Sequence, residues 1–189
     1  MKAAFGNLGS LLAPLLALLL AVALGAPARA QTAKEEYEVK AAFLFHFAQL
    51  VEWPPGTIKG EGEPVRVCTL GEDPFRGALE TTLKGKKVGE RALRVDHVKQ
   101  ADEAKACQIL FFSRNEEKRI PALLAQLGTS PVLTVGESDG FAREGGIIGF
   151  SVEDQKIRFE INLDAARRAG IRVSSRLLLL AKSVTGSQG

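Results

Sequence analysis

"CQILFFSRNEEKRIPALLAQLGTSPVLTVG", residues 107–136, holds the reading that decides the fold. Ile109-Leu110-Phe111-Phe112 sets four apolar residues in a row, which suits a strand buried on both faces better than one with a wet side. Glu116 to Leu127 then predicts a helix, and Val132-Leu133-Thr134-Val135 a further strand. Strand, helix and strand in succession argue for a largely parallel sheet with helices on both sides.

The same alternation extends upstream. Val65-Arg66-Val67-Cys68-Thr69-Leu70 reads as a strand, and Gly71-Glu72-Asp73-Pro74 turns into a helix near Phe75 to Leu83. After the turn-rich Lys84-Gly85-Lys86-Lys87, Leu93-Arg94-Val95 reads as a short strand. Downstream the character changes. Ile147 to Val152 and Ile157 to Asn162 flank the polar Glu153-Asp154-Gln155-Lys156, the pattern of an antiparallel hairpin with a four-residue loop. Ile157, Phe159 and Ile161 then face the core, while Arg158, Glu160 and Asn162 face solvent. Asp164 to Ala169 predicts a short helix closed by Gly170, and Ser174-Ser175 caps a last helix over Arg176 to Val184. The expected fold is a single three-layer, Rossmann-like α/β domain: a mostly parallel sheet, helices on both faces and a C-terminal antiparallel hairpin.

Before the first of these strands lies "AAFLFHFAQLVEWPPG", residues 41–56, dense in aromatic side chains. Val39, Ala42, Phe43, Phe47, Leu50 and Val51 recur at helical steps, with Glu35, Glu36, Lys40 and Gln49 on other faces. Trp53-Pro54-Pro55-Gly56 ends the helix, because proline cannot continue it and disfavours helical geometry in the residue before. The aromatic residues are expected to be core, and His46 a packed or solvent-edge side chain.

The chain opens on a different kind of segment. Lys2 is followed by an uncharged Leu/Ala-rich stretch from Leu11 to Leu24, then by Ala28-Arg29-Ala30, a small-x-small cleavage signature. Residues 1–30 read as a secretory signal peptide and residues 31–189 as the exported domain. The competing reading is an uncleaved anchor, since no charge falls between Ala3 and Ala28; Pro14 and the small-residue exit favour cleavage. Without Lys2 and Arg29 the net charge falls from +3 to +1, so nothing in the charge calls for nucleic acid.

Two cysteines remain, Cys68 and Cys107. In an oxidising compartment such a pair is most simply a disulfide; two buried free thiols are the alternative. No metal site follows from the two cysteines with the distant His46 and His97. No G-x-G-x-x-G follows the first strand, and G-x-x-x-x-G-K-[ST] and H-E-x-x-H are absent, so dinucleotide and phosphoryl-transfer readings lack a motif. Gly71-Glu72-Asp73-Pro74 sits where doubly wound proteins bind ligands, but its acids would repel an anion, and it reads as a turn and helix cap. Gly145-Gly146 reads as a turn into the hairpin. Ser174 and Ser175 with His46 do not make a convincing nucleophile and base, because serines that open a helix are ordinary caps. No catalytic residue and no cofactor is predicted.

Glu38-Val39-Lys40-Ala41-Ala42-Phe43-Leu44-Phe45-His46-Phe47, Val51-Glu52-Trp53-Pro54, Val67 to Phe75, Cys107 to Phe111, Val132 to Val135, Gly145 to Ile148, Arg158 to Asn162 and Ser174 to Leu178 resemble, in order and spacing, the YfiR family. The resemblance runs over residues 36–184. It implies a periplasmic α/β protein without catalytic activity that binds the periplasmic part of an inner-membrane diguanylate cyclase and represses cyclic di-GMP synthesis, disfavouring biofilm growth. It implies release through redox stress or through an outer-membrane lipoprotein, and it leaves room for a homodimer. Cys68 and Cys107 fall where the family has a structural disulfide. A second cysteine pair that some relatives carry between Phe141 and Phe150 is absent, and Phe45-His46 stands where relatives often have Tyr-Asn.

A repressor of that kind needs an exposed docking surface. The hairpin is the expected one, with Arg158 and Glu160 on its wet face and Phe150 and Ile171 near its edge as anchors. A periplasmic small-molecule-binding sensor acting on another membrane receptor is the alternative reading.

Overall fold

The computed structural model describes residues 28–186, and the side chains from residue 34 onward. The leader read over residues 1–30 lies outside the described residues, save its last three positions. The described residues from Glu36 onward form one compact unit. Among the described residues, no helix is long and apolar enough to cross a membrane.

In chain order the elements are α1 (Ala28–Leu50), β1 (Val51–Glu52), β2 (Val65–Leu70), α2 (Ala78–Leu83), β3 (Lys87–Val88), β4 (Arg91–Val98), α3 (Ala101–Ala104) and β5 (Ile109–Phe112). A 3-10 turn over Arg114–Arg119 leads into α4 (Ile120–Leu127), followed by β6 (Leu133–Gly136), β7 (Ile148–Glu153), β8 (Lys156–Asn162), α5 (Leu163–Arg168), β9 (Arg172–Val173), α6 (Ser175–Leu180) and β10 (Ser183–Thr185). Eight strands make one sheet in the order β10-β8-β7-β6-β5-β2-β4-β3. Only β7–β8 and β3–β4 pair antiparallel in it. The class is mixed α/β with a mostly parallel sheet, as the alternation predicts. A separate antiparallel pair joins β1 to β9, with Val51 opposite Val173.

The sheet separates two apolar clusters. Val67, Ile109 and Phe111 point into the larger one, together with Ala41, Leu44 and Phe47 of α1 and Leu79 and Leu83 of α2. Cys68, Leu110 and Phe112 point into the other, against Ala101 of α3 and Ile120 and Leu123 of α4. The aromatic density of residues 41–56 is therefore core. Phe47 lies 5.7 Å from Phe150 and 5.1 Å from Phe159, ring centre to ring centre.

Several boundaries move from their expected places for local reasons. The helix expected from Glu116 begins as the 3-10 turn, because Pro121 lacks an N–H to donate back along the chain and sits instead in the first turn of α4. The hairpin loop is two residues, not four. Asp154 and Gln155 both take left-handed backbone, φ 48° and 61°, the geometry whose twist matches the strands it joins. The last helix stops at Leu180, and Ser183–Thr185 leaves it to pair parallel with β8. Ser174 caps that helix as expected, its Oγ accepting the Leu177 N–H at 3.3 Å.

Candidate functional site

The hairpin positions the side chains expected to meet a partner. Pairing places Gly149 opposite Glu160 and Ser151 opposite Arg158 on the face turned away from the large aromatic cluster. Arg158 is exposed and Glu160 half-buried, because β8 lies between β7 and β10 and Ser183 sits beside Glu160. Gly149 makes room here: a Cβ there would meet the Glu160 side chain at 3.4 Å and the Ala142 backbone nitrogen at 3.2 Å. Phe150 and Ile171, expected as anchors near the edge, are core residues, 4% and 3% exposed. Both pack into the large apolar cluster, with Phe159 and Ile161 of β8. The exposed apolar side chains nearby are others, namely Leu179 at 86% and Leu180 at 62% on α6 and Val152 at the hairpin tip. Lys182, just before β10, ion-pairs with Glu153 at that tip.

A second polar constellation lies beyond the carboxyl ends of β5 and β6. Lys40, which the periodicity places off the apolar face of α1, is 1% exposed, and its Nζ lies 2.5 Å from both Glu36 Oε1 and Glu137 Oε2. Glu137 Oε1 accepts the Tyr37 hydroxyl and the Arg114 backbone N–H, each at 3.0 Å. Burial first, and then the Glu137 carboxylate, push the Tyr37 phenol well above its ordinary value. A charge this deep persists because two carboxylates face it and both Glu137 oxygens are hydrogen-bonded. Its chemistry is structural: it ties α1 to the end of β6. The hydroxyls of Ser113 and Ser138 are buried beside these strand ends without a hydrogen-bond partner among the described residues.

Cys68 and Cys107 form a disulfide, with Cα atoms 6.1 Å apart, joining β2 to the segment that enters β5. A cavity of about 290 Å³ opens between α4, β6 and α5, lined among others by Leu124, Val132, Thr134, Glu144, Ile147 and Arg168. Gly146 does more than turn the chain. The Phe141 ring fills the space where its Cβ would stand, at 2.0 Å. His46 is exposed on α1, and Ser174 Oγ is spent on its cap. His97, by contrast, meets Glu80 and Asp73 at the carboxyl end of β4.

Comparison with known proteins gives one family and a distant fold likeness. The family model described as YfiR/HmsC-like matches residues 37–182. A solved conserved domain protein from Vibrio cholerae O1 biovar El Tor superposes with a TM-score of 0.52 at 9% identity, over 79% of this chain and 60% of that one. At that identity the likeness is one of fold alone, and this chain spans 60% of that protein's length. An ABC domain in complex with L-Trp from Streptococcus pneumonia reaches a TM-score of 0.47 at 10% identity, over 69% of this chain and 59% of that one, and carries no argument.

Proposed function

The chain belongs to the YfiR/HmsC-like family, a family of periplasmic regulators of cyclic di-GMP signalling that are regulatory rather than catalytic, and from that premise we propose that it represses a membrane diguanylate cyclase by binding the enzyme's periplasmic part. The observation that carries the reading is the length of the match, residues 37–182, which runs from within α1 through the end of α6. In this reading the signal peptide is removed, the remaining chain is the periplasmic domain, and the hairpin face with Arg158 and Glu160 meets the cyclase. Phe150 and Ile171 hold that face in shape from below. Leu179 and Leu180 supply the exposed apolar contact that docking requires. An outer-membrane lipoprotein would compete for the repressor.

Co-purification tests it. The full chain with a C-terminal tag is expressed in its own host and recovered with solubilised membranes, and the retained proteins are identified by mass spectrometry. A cyclase with a periplasmic domain is expected in the retained fraction, and deleting the gene should raise cellular cyclic di-GMP. Unchanged cyclic di-GMP and no retained cyclase would sink the proposal. The 290 Å³ cavity favours one second reading, a small-molecule sensor acting on another receptor. That reading predicts a metabolite-dependent rise in melting temperature, lost on filling the cavity with Ala165→Leu.

A further inference from the structure

His97 stands 17 residues from Glu80 and 24 from Asp73 in the sequence, and folding removes that distance. Parallel pairing of β2 with β4 sets Thr69 opposite His97. The Gly71 N–H donates to the Val98 carbonyl at 2.9 Å, folding the Gly71-Glu72-Asp73 turn back over the end of β4. Gly71 takes φ +75° to make that turn, a conformation other residues rarely adopt. Helix α2 then presents Glu80 from the third side. One ligand atom from each of Asp73, Glu80 and His97 lies within 4.8 Å of the other two, with His97 Nε2 only 3.2 Å from Glu80 Oε1.

We propose that Asp73, Glu80 and His97 form a zinc-binding site, with solvent completing the coordination shell. One imidazole and two carboxylates are a donor set suited to zinc, whereas calcium and magnesium prefer oxygen ligands throughout. The imidazole is already oriented. Thr69 Oγ1 lies 2.7 Å from His97 Nδ1, and Thr69 is fully buried. With the proton on Nδ1 donated to Thr69, the Nε2 lone pair faces Glu80, which is how metal-bound histidines are commonly held. Asp73 uses one oxygen, Oδ1, to accept the Phe75 N–H at 2.9 Å, leaving Oδ2 for a cation. Tetrahedral zinc with bonds of about 2.0–2.1 Å sets its ligand atoms roughly 3.4 Å apart. Closing to that spacing requires rotation of the Asp73 and Glu80 side chains and no movement of strands. The bound ion would join α2, the turn after β2 and the end of β4. Cys68 and Cys107 are held in their disulfide and would not compete for it.

The test uses tag-free protein purified with its disulfide closed and stripped of metal. Zinc is titrated into the wild type, His97→Ala, Glu80→Gln and His46→Ala, with bound zinc per chain and melting temperature as readouts and cobalt(II) as a spectroscopic probe. Both His97 and Glu80 have about half their side-chain surface in solvent, 48% and 43%, so both variants should fold, and their metal-free melting temperatures check this. The wild type should bind one zinc, melt at a higher temperature with it and give tetrahedral cobalt absorption. His97→Ala and Glu80→Gln should weaken binding at least tenfold and lose both signals, and His46→Ala should behave as the wild type. Calcium and magnesium should leave the melting temperature unchanged. A wild type that binds no zinc, a His97→Ala that binds it equally well, or loss of binding in His46→Ala would overturn the proposal.

Discussion

The centre of the sheet and its hairpin wing follow different burial rules. Every residue of β5 and β6 is buried, and β2 is buried at all positions but Arg66, because parallel strands here carry helices on both faces. In β8 buried Phe159 and Ile161 alternate with exposed Arg158 and half-buried Glu160. The centre gives the domain its stability and offers a partner nothing to hold. The wing spends one face on the core and keeps the other for contact, so substitutions in the two regions should separate stability from binding.

The largest effect is expected where charge is buried at the edge of the centre. Lys40→Ala would leave Glu137 in the interior without its cation, at a cost of about 3–5 kcal/mol. Urea unfolding measures it. The paired change Lys40→Met with Glu137→Gln should recover much of the loss, since it removes both charges while the amide oxygen can still accept from Tyr37 and Arg114. If Lys40→Ala is as mild as a substitution on the wing, the contrast between the two regions fails.

Next comes the disulfide. Cys68 and Cys107 are 39 residues apart, and opening the bridge by Cys68→Ala with Cys107→Ala should cost about 2–4 kcal/mol. Thermal unfolding with and without reductant checks it. Reductant should lower the melting temperature of the wild type and leave the double variant unmoved.

A smaller and pH-dependent effect is expected at Asp96 on β4. Burial works against its charge, but hydrogen bonds from Arg66 and Arg94 outweigh that and hold its carboxyl below the ordinary value of 3.8. A carboxyl depressed by folding contributes stability that is present above its unfolded value and is lost as pH falls through the folded one. Asp96→Asn should therefore cost about 1 kcal/mol at neutral pH, and the gap to the wild type should close as pH falls below 3.8. Parallel denaturation curves at neutral and acid pH read the gap directly.

These contrasts also mark what the sequence made legible. Ile109–Phe112 was readable because four consecutive apolar residues admit few structures, and the two faces of β8 because alternation has an unambiguous period. The burial of Lys40 is not legible, because its partner, Glu137, lies 97 residues away and helical periodicity places the lysine only off the apolar face. The run Leu177-Leu178-Leu179-Leu180 imitates a helix core, yet only Leu177 is buried, so the last helix is shorter than its composition suggests. Strands β1 and β9, two residues each, are too short for any periodic signal. Asp73, Glu80 and His97 come from a turn, a helix and a strand, and only the parallel register of β2 with β4 brings them together.

The smallest effect on stability, and the most informative for function, is expected on the wing. Glu160→Lys reverses a charge on a half-buried position whose side chain runs over Gly149, where no Cβ obstructs it. A longer, flexible side chain can reach past Ser183 to solvent, so the change in unfolding free energy should stay within about 0.5 kcal/mol. Reversing the charge should still weaken capture of the membrane partner, because like charges set against each other at an interface cost several kcal/mol. Arg158→Glu should do the same from the neighbouring rung, and the double exchange Arg158→Glu with Glu160→Lys keeps the net charge while reversing its order. If the double exchange restores capture, net charge matters at this face; if it fails as each single change does, the partner reads the two side chains in position. Unchanged capture in all three variants would move the contact off the hairpin, with Leu179 and Leu180 on α6 as the next surface to alter.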